Sequence, residues 1–213
     1  MKTDDLLMML ATGEGVVRRH AAERRYAAAI AVGLVGATLL MLGLLGVRAD
    51  LAEAMRLPMF WVKLGFVAFL AVASLLAVLR LSRPGAHLNW VPVAVVAPVM
   101  VIWVLAAIVL AVAEPEQRLG LLLGTTWAVC PFLITMLSAP MFGATLWAMR
   151  GLAPTRLPLA GAAAGLLSGS VGALVYCLHC PEMEAPFVAS WYLLGMLIPA
   201  ASGALLGRYA LRW

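Results

Sequence analysis

Six apolar runs of 21 to 29 residues constrain this chain more than any motif in it. Each can cross the roughly 30 Å hydrocarbon layer of a bilayer as a helix. The runs are residues 26–47, 59–79, 91–113, about 121–149, 157–178 and 187–207. Only 12% of the chain is charged and those charges cluster between the runs, so no soluble domain with a polar surface fits into what remains. Backbone donors and acceptors cannot go unpaired in lipid, and the runs lack the short alternating pattern of a membrane barrel. The expected fold class is an all-α membrane protein, a six-transmembrane-helix bundle.

The basic residues set the expected orientation. With the N-terminus inside, the inner segments carry Lys2, Arg18, Arg19, Arg24, Arg25, Arg80, Arg83, Arg150, Arg156, Arg208 and Arg212, against Arg48, Arg56 and Arg118 on the other side. Eleven against three over short loops is a strong positive-inside bias, so both termini are expected in the cytoplasm. The net charge of +5 fits anchoring to anionic membrane lipids, and no basic stripe is large enough for direct nucleic-acid contact. The first run is of full spanning length and starts late, which reads as a retained span rather than a signal peptide.

Gly161, Gly165 and Gly169 repeat at four-residue spacing in the fifth run, and Gly203 and Gly207 in the sixth. Such steps let helix backbones approach closely in lipid. Pro98, Pro131, Pro140 and Pro199 fall inside or near the ends of runs, and with two of them the fourth run is expected to be the most irregular. Its true start nearer Thr125 than Leu121 would bring Cys130 toward the outer leaflet. Lys63 is the one lysine or arginine inside a run. Either its stem snorkels to the headgroups beside Phe60 and Trp61, or it is a buried partner for Glu114, Glu116, Glu182 or Glu184.

The chain divides into residues 1–25, a cytoplasmic segment, and 26–213, the transmembrane domain. Thr3 can cap a short helix with Asp4 and Asp5 in its first turn, where carboxylates oppose the helix dipole. Leu6 and Leu10 share a face, widened by Leu7 and Met9, and Gly13 and Gly15 end the helix. A helix this short orders only against something else. A partner's groove and the lipid surface are both open, as is a disordered tail.

The chemistry-bearing cluster is Cys177, His179 and Cys180 before Pro181, with Glu182 and Glu184 following; Cys130 is the third cysteine. Thiolate, imidazole and carboxylate take soft or borderline divalent ions, yet two cysteines and a histidine fall short of a structural zinc signature. A redox pair is the second reading, since Cys130 can meet Cys180 if the fourth and fifth spans are neighbours. The third is that the cysteines are small buried apolar residues, which suits Cys177 best. No resident cofactor is expected, with transient heavy-metal ligation left open, and no nucleophile, base and orienter set exists, so an enzyme is not expected. Few polar residues lie at mid-membrane depth to bind a solute. A small metal-ion transporter or channel-like protein remains the alternative class.

The start Met1-Lys2-Thr3-Asp4-Asp5-Leu6, Phe60-Trp61-Val62-Lys63, Arg83-Pro84-Gly85, Cys130, Leu178-His179-Cys180-Pro181-Glu182 and Trp191-Tyr192 together resemble the NrsF family, in order and over nearly the whole chain. These are negative regulators of extracytoplasmic-function (ECF) sigma factors. The resemblance implies a multi-pass inner-membrane anti-sigma factor whose N-terminus holds an ECF sigma factor away from RNA polymerase. It implies Asp4, Asp5, Leu6, Leu7 and Leu10 as the partner-binding residues. It further implies that Cys130 and Cys180, with His179 beside them, sense heavy-metal or oxidative stress from the far side of the membrane, Cys177 being an extra cysteine.

Overall fold

The computed structural model describes residues 3–12, 21–83, 85, 87–152 and 154–212. Among them the chain is helical without strands. The segments are α1 (Thr3–Thr12), α2 (Ala21–Leu44), α3 (Leu51–Ala54), α4 (Pro58–Leu81), α5 (Val91–Val112), α6 (Pro115–Leu123), α7 (Cys130–Arg150), α8 (Leu157–Tyr176), α9 (Ala185–Phe187) and α10 (Leu193–Ala210). A π-helical turn, Val188–Tyr192, joins α9 to α10 without a break. Among the described residues six helices are long and apolar enough to cross a membrane: α2, α4, α5, α7, α8 and the continuous stretch Ala185–Ala210.

Proline opens most of these elements. It stands in the first turn of α4, α5, α6, α7, α8 and α9, where its missing N–H has no intrahelical acceptor to lose. This corrects the reading of the fourth run. Pro131 does not bend a long helix there; it starts a new one, so the run divides into α6, a turn over 124–129, and α7 beginning at Cys130. α7 then continues unbroken through Pro140 to Arg150. The fourth run is thus the irregular one, as expected, and a second departure is the π turn inside the continuous sixth span.

α8 is the centre of the bundle, packed against α10, α7 and α4, with fourteen of its 20 residues buried. The expected glycine faces meet each other. A Cβ on Gly161 would lie 2.0 Å from the Gly203 carbonyl oxygen, one on Gly203 2.0 Å from that of Gly161, and one on Gly165 2.0 Å from that of Pro199. Only absent side chains allow α8 and α10 this approach, which recovers dispersion contacts that lipid would otherwise supply. α2 packs on α7, and α5 lies at the periphery beside α4.

Side chains tie the two ends of the bundle differently. At one end Arg25 donates from Nη2 to the Trp147 carbonyl at 2.7 Å and lies over the Trp147 ring, while Arg150 donates from Nε to the Ala210 carbonyl at 2.6 Å. The buried Tyr26 hydroxyl there hydrogen-bonds Ser82, joining the base of α2 to the end of α4. Arg80, Arg150 and Arg208 sit in the last turns of α4, α7 and α10, opposing the negative ends of those helix dipoles. The other end carries Arg48, Lys63 and the cysteines.

Candidate functional site

α7 begins at Cys130, and the turn after α8 runs through Cys177 to Cys180. Because α7 and α8 are packed neighbours, both cysteine positions fall at the same end of the bundle. All three cysteines are buried and unbridged. Cys130, Cys177 and Cys180 share one core with Tyr176, Phe187 and Tyr192. The Tyr176 and Tyr192 rings are 5.8 Å apart, and Phe187 meets Tyr192 edge-on at 6.5 Å. The Tyr192 hydroxyl is buried, and among the described residues it makes a weak polar contact with the Cys180 thiol. The π turn delivers this tyrosine: Trp191 faces α6, donating to the Leu122 carbonyl at 2.9 Å, while Tyr192 faces the thiols.

The thiols of Cys180 and Cys130 are hydrogen-bonding neighbours. That contact draws the Cys180 thiol below the ordinary thiol range against the opposing effect of burial, and the positive charge of Lys63 and a contact with the Tyr192 hydroxyl act in the same direction.

Four side chains frame the pair. Lys63 of α4 is completely buried and donates from Nζ to the Glu182 carbonyl at 2.8 Å and to the Cys180 carbonyl at 3.3 Å. Its ammonium lies 4.9 Å from the centre of the Tyr192 ring. Arg48, past the end of α2, donates from Nη1 to the same Cys180 carbonyl at 3.1 Å and pairs with Asp50 at 2.6 Å. Arg48 holds the Asp50 carboxyl below the usual carboxylate range by hydrogen bonding. His179 is engaged through Nδ1 with the Gly46 carbonyl at 2.9 Å and stacks obliquely on Tyr176. Glu182 closes the frame from the other side, accepting from the Thr125 amide at 2.7 Å and the Thr125 hydroxyl at 2.6 Å. Thr126, the next residue, accepts the Cys130 amide at 2.9 Å, so the segment holding Cys180 and the turn entering Cys130 are tied together. Gly124 is required in this turn. Its φ is +55°, and a Cβ there would lie 2.6 Å from Glu182 Oε2.

The frame revises several sequence expectations. Lys63 neither snorkels nor pairs with a carboxylate; backbone carbonyls of the 180–182 segment reach it first. Glu182 meets Lys63 through its main-chain carbonyl and not through its carboxylate, which Thr125 occupies. Among the described residues no three His, Cys, Asp or Glu side chains converge as ligands for a metal ion. His179 is turned to the α2–α3 connection. Arg48, Glu182 and Thr125 were missed as a group, since their contacts bridge 57 to 132 positions of sequence. Pro131 as a helix-start signal would have placed Cys130 correctly at the end of its span.

At the N-terminus α1 forms over the expected residues, with Asp4, Asp5, Leu7 and Met8 exposed. The side chains of Leu6 and Leu10, and all of Gly13 and Gly15, lie outside the described residues.

A family model described as NrsF, negative regulator of sigma F, matches residues 10–213. The chain is 62% identical over 213 residues, the full length of both proteins, to one from Azospira oryzae named a probable anti-sigma-F factor. It is 45% identical over 217 aligned residues, again the full length of both, to the anti-sigma-F factor of Caulobacter vibrioides. No solved structure matches it.

Proposed function

The chain belongs to the NrsF family of negative regulators of sigma F, and from this premise we propose that it is a multi-pass inner-membrane anti-sigma factor for an ECF sigma factor. Residues 1–25 hold the sigma factor at the cytoplasmic face, with Asp4, Asp5, Leu6, Leu7 and Leu10 as the contact surface. Cys130 and Cys180, at the opposite face, receive the heavy-metal or oxidant signal that ends sequestration. The positive-inside bias supports this orientation.

One observation carries the reading: α2 joins the two ends. Beyond its C-terminus the chain is stitched to the cysteine segment by Arg48 N–H to the Leu178 carbonyl at 3.1 Å, Arg48 Nη1 to the Cys180 carbonyl at 3.1 Å, and His179 to the Gly46 carbonyl at 2.9 Å. Residues 1–20 precede α2 in the sequence. In this reading, these bonds are the route by which a displacement of the cysteine segment reaches α2 and, through it, the N-terminal segment.

The chemistry at the thiols is of two kinds. A soft metal ion is taken by both sulfurs as their protons leave. A hydroperoxide oxidises the Cys180 thiol to a sulfenic acid and is itself reduced to an alcohol. The Cys130 thiol then attacks that sulfur, forming the disulfide and releasing water. Either event draws the start of α7 and the 177–184 segment together.

The test is co-purification of the cognate sigma factor with the full chain and with a chain lacking residues 1–25. Capture by the full chain and loss of capture with the deletion are expected. Equal capture by both would place the sigma-binding surface elsewhere.

A further inference from the structure

We infer that Lys63 is a positioning residue for the thiol pair: by holding the carbonyls of Cys180 and Glu182 from inside the bundle, it fixes which cysteine Cys180 faces. The inference rests on the reading of Cys130 and Cys180 as the responding pair. Two observations support it, and neither involves titration of a thiol.

The first is the cost of Lys63 where it stands. The residue is fully buried in an apolar bundle, and among the described residues no carboxylate pairs with it. Burying an ammonium costs several kcal/mol unless its donors are satisfied, and a hydrophobic side chain of similar volume is commonly neutral or better at such positions. A lysine retained here therefore has work that a methionine cannot do. Its partners identify that work, since both hydrogen bonds go to main-chain carbonyls of one short segment and none goes to a side chain.

The second is the choice open to Cys180. Cys177 lies three residues before it, buried in the same core, while Cys130 comes from another span. The turn over 177–180 is held locally by i to i+3 and i to i+4 bonds, from Cys177 to Ala173, Leu178 to Val175, His179 to Tyr176 and Cys180 to Tyr176. Those bonds do not extend past Cys180. Residues 181–184 have no regular structure, so the direction in which the chain leaves Cys180 is set by Lys63 and Arg48 on its carbonyls and by Glu182 on Thr125. Sulfur-to-sulfur bonding is strict in geometry, with Cβ atoms about 3.5–4.5 Å apart, so a small rotation at Cys180 changes which thiol it can reach.

The experiment follows disulfide formation in the purified full chain in detergent micelles. The oxidant is diamide, which takes two electrons and two protons from a thiol pair and becomes the hydrazine as the S–S bond forms. Peptide mass spectrometry reports which pair is joined and how fast. The unsubstituted chain is expected to join Cys130 to Cys180. Lys63→Met is expected to slow that bond by about tenfold and to divert product to Cys177–Cys180, whereas Lys63→Arg, which restores the carbonyl donors, is expected to recover the original partner. Arg48→Met removes the second donor to the Cys180 carbonyl from a turn outside the spans. It is expected to shift partner choice the same way by a smaller factor, so the outcome does not hang on one variant folding. Lower thermal stability with unchanged partner choice is what a merely structural lysine gives, and it would overturn the inference. So would equal Cys130–Cys180 rates in the unsubstituted chain and both methionine variants. Failure of the unsubstituted chain to join Cys130 to Cys180 would instead remove the pair itself, and with it the sensing reading.

Discussion

Replacing Glu182 with alanine removes the carboxylate hydrogen bonds that tie the 180–184 segment to the turn entering Cys130. The Glu182 carboxylate accepts from the Thr125 amide at 2.7 Å and the Thr125 hydroxyl at 2.6 Å. Hydrogen bonds to an ionised group contribute about 1.5–3 kcal/mol each when buried. Glu182 is only half-buried, so about 1 kcal/mol for each bond, or about 2 kcal/mol together, is the appropriate scale. That loss raises the population in which the 124–129 turn has parted from residues 180–184 by roughly thirtyfold. The assay is hydrogen–deuterium exchange on the full chain in detergent, followed on a peptide covering 124–130. The Thr125 amide is expected to lose protection by roughly thirtyfold in Glu182→Ala. Glu182→Gln keeps one acceptor oxygen but not the charge, and should fall between. The core of α8 should exchange as before, since no contact there involves Glu182. Unchanged protection of 124–130 in a folded Glu182→Ala would refute the reasoning, because the turn would then be held by its own backbone bonds alone.

Two further outcomes follow from the packing and from the Arg48 pair. Gly165→Leu places a Cβ 2.0 Å from the Pro199 carbonyl oxygen, so the α10 backbone must retreat by over 1 Å before contact is ordinary. Overpacking of this kind costs about 1–3 kcal/mol, and a fall of several degrees in melting temperature in detergent is expected. Asp50 has a carboxyl lowered by Arg48, so its contribution is present above the ordinary aspartate range and lost as pH falls through the depressed value. Melting curves of Asp50→Asn should accordingly lie below those of the unsubstituted chain near neutrality, and the difference should close as the medium is acidified.

The spans were legible in the sequence because membrane insertion is decided by local composition. Residues 91–113 and 157–178 match α5 and α8 to within two positions of their ends, since apolar content alone defines them. The glycine steps were equally legible, because four-residue spacing fixes a helix face without knowledge of the partner. What failed depended on neighbours distant in sequence. Two prolines marked the fourth run as irregular, but the place of the break at 124–129 depends on a glycine at positive φ and two threonines that bind Glu182. For Lys63 the buried alternative held but its partner atoms were not legible, for a similar reason. Depth in a helix says whether a lysine can reach the surface, but not whether a folded-back carbonyl meets it first. The π turn at 188–192 carries no composition signal, and it is what aims Tyr192 at the thiols.

The central claim is that the thiol pair at one end of the bundle controls the sigma factor held at the other. The most direct measurement is release of the cognate sigma factor from the full chain in lipid vesicles after exposure to hydroperoxide or to a soft metal ion, with Cys130→Ser and Cys180→Ser in parallel. The account predicts release from the unsubstituted chain and retention by both serine variants, each of which still binds the sigma factor before exposure. Normal release from both serine variants would contradict it and make the thiols structural.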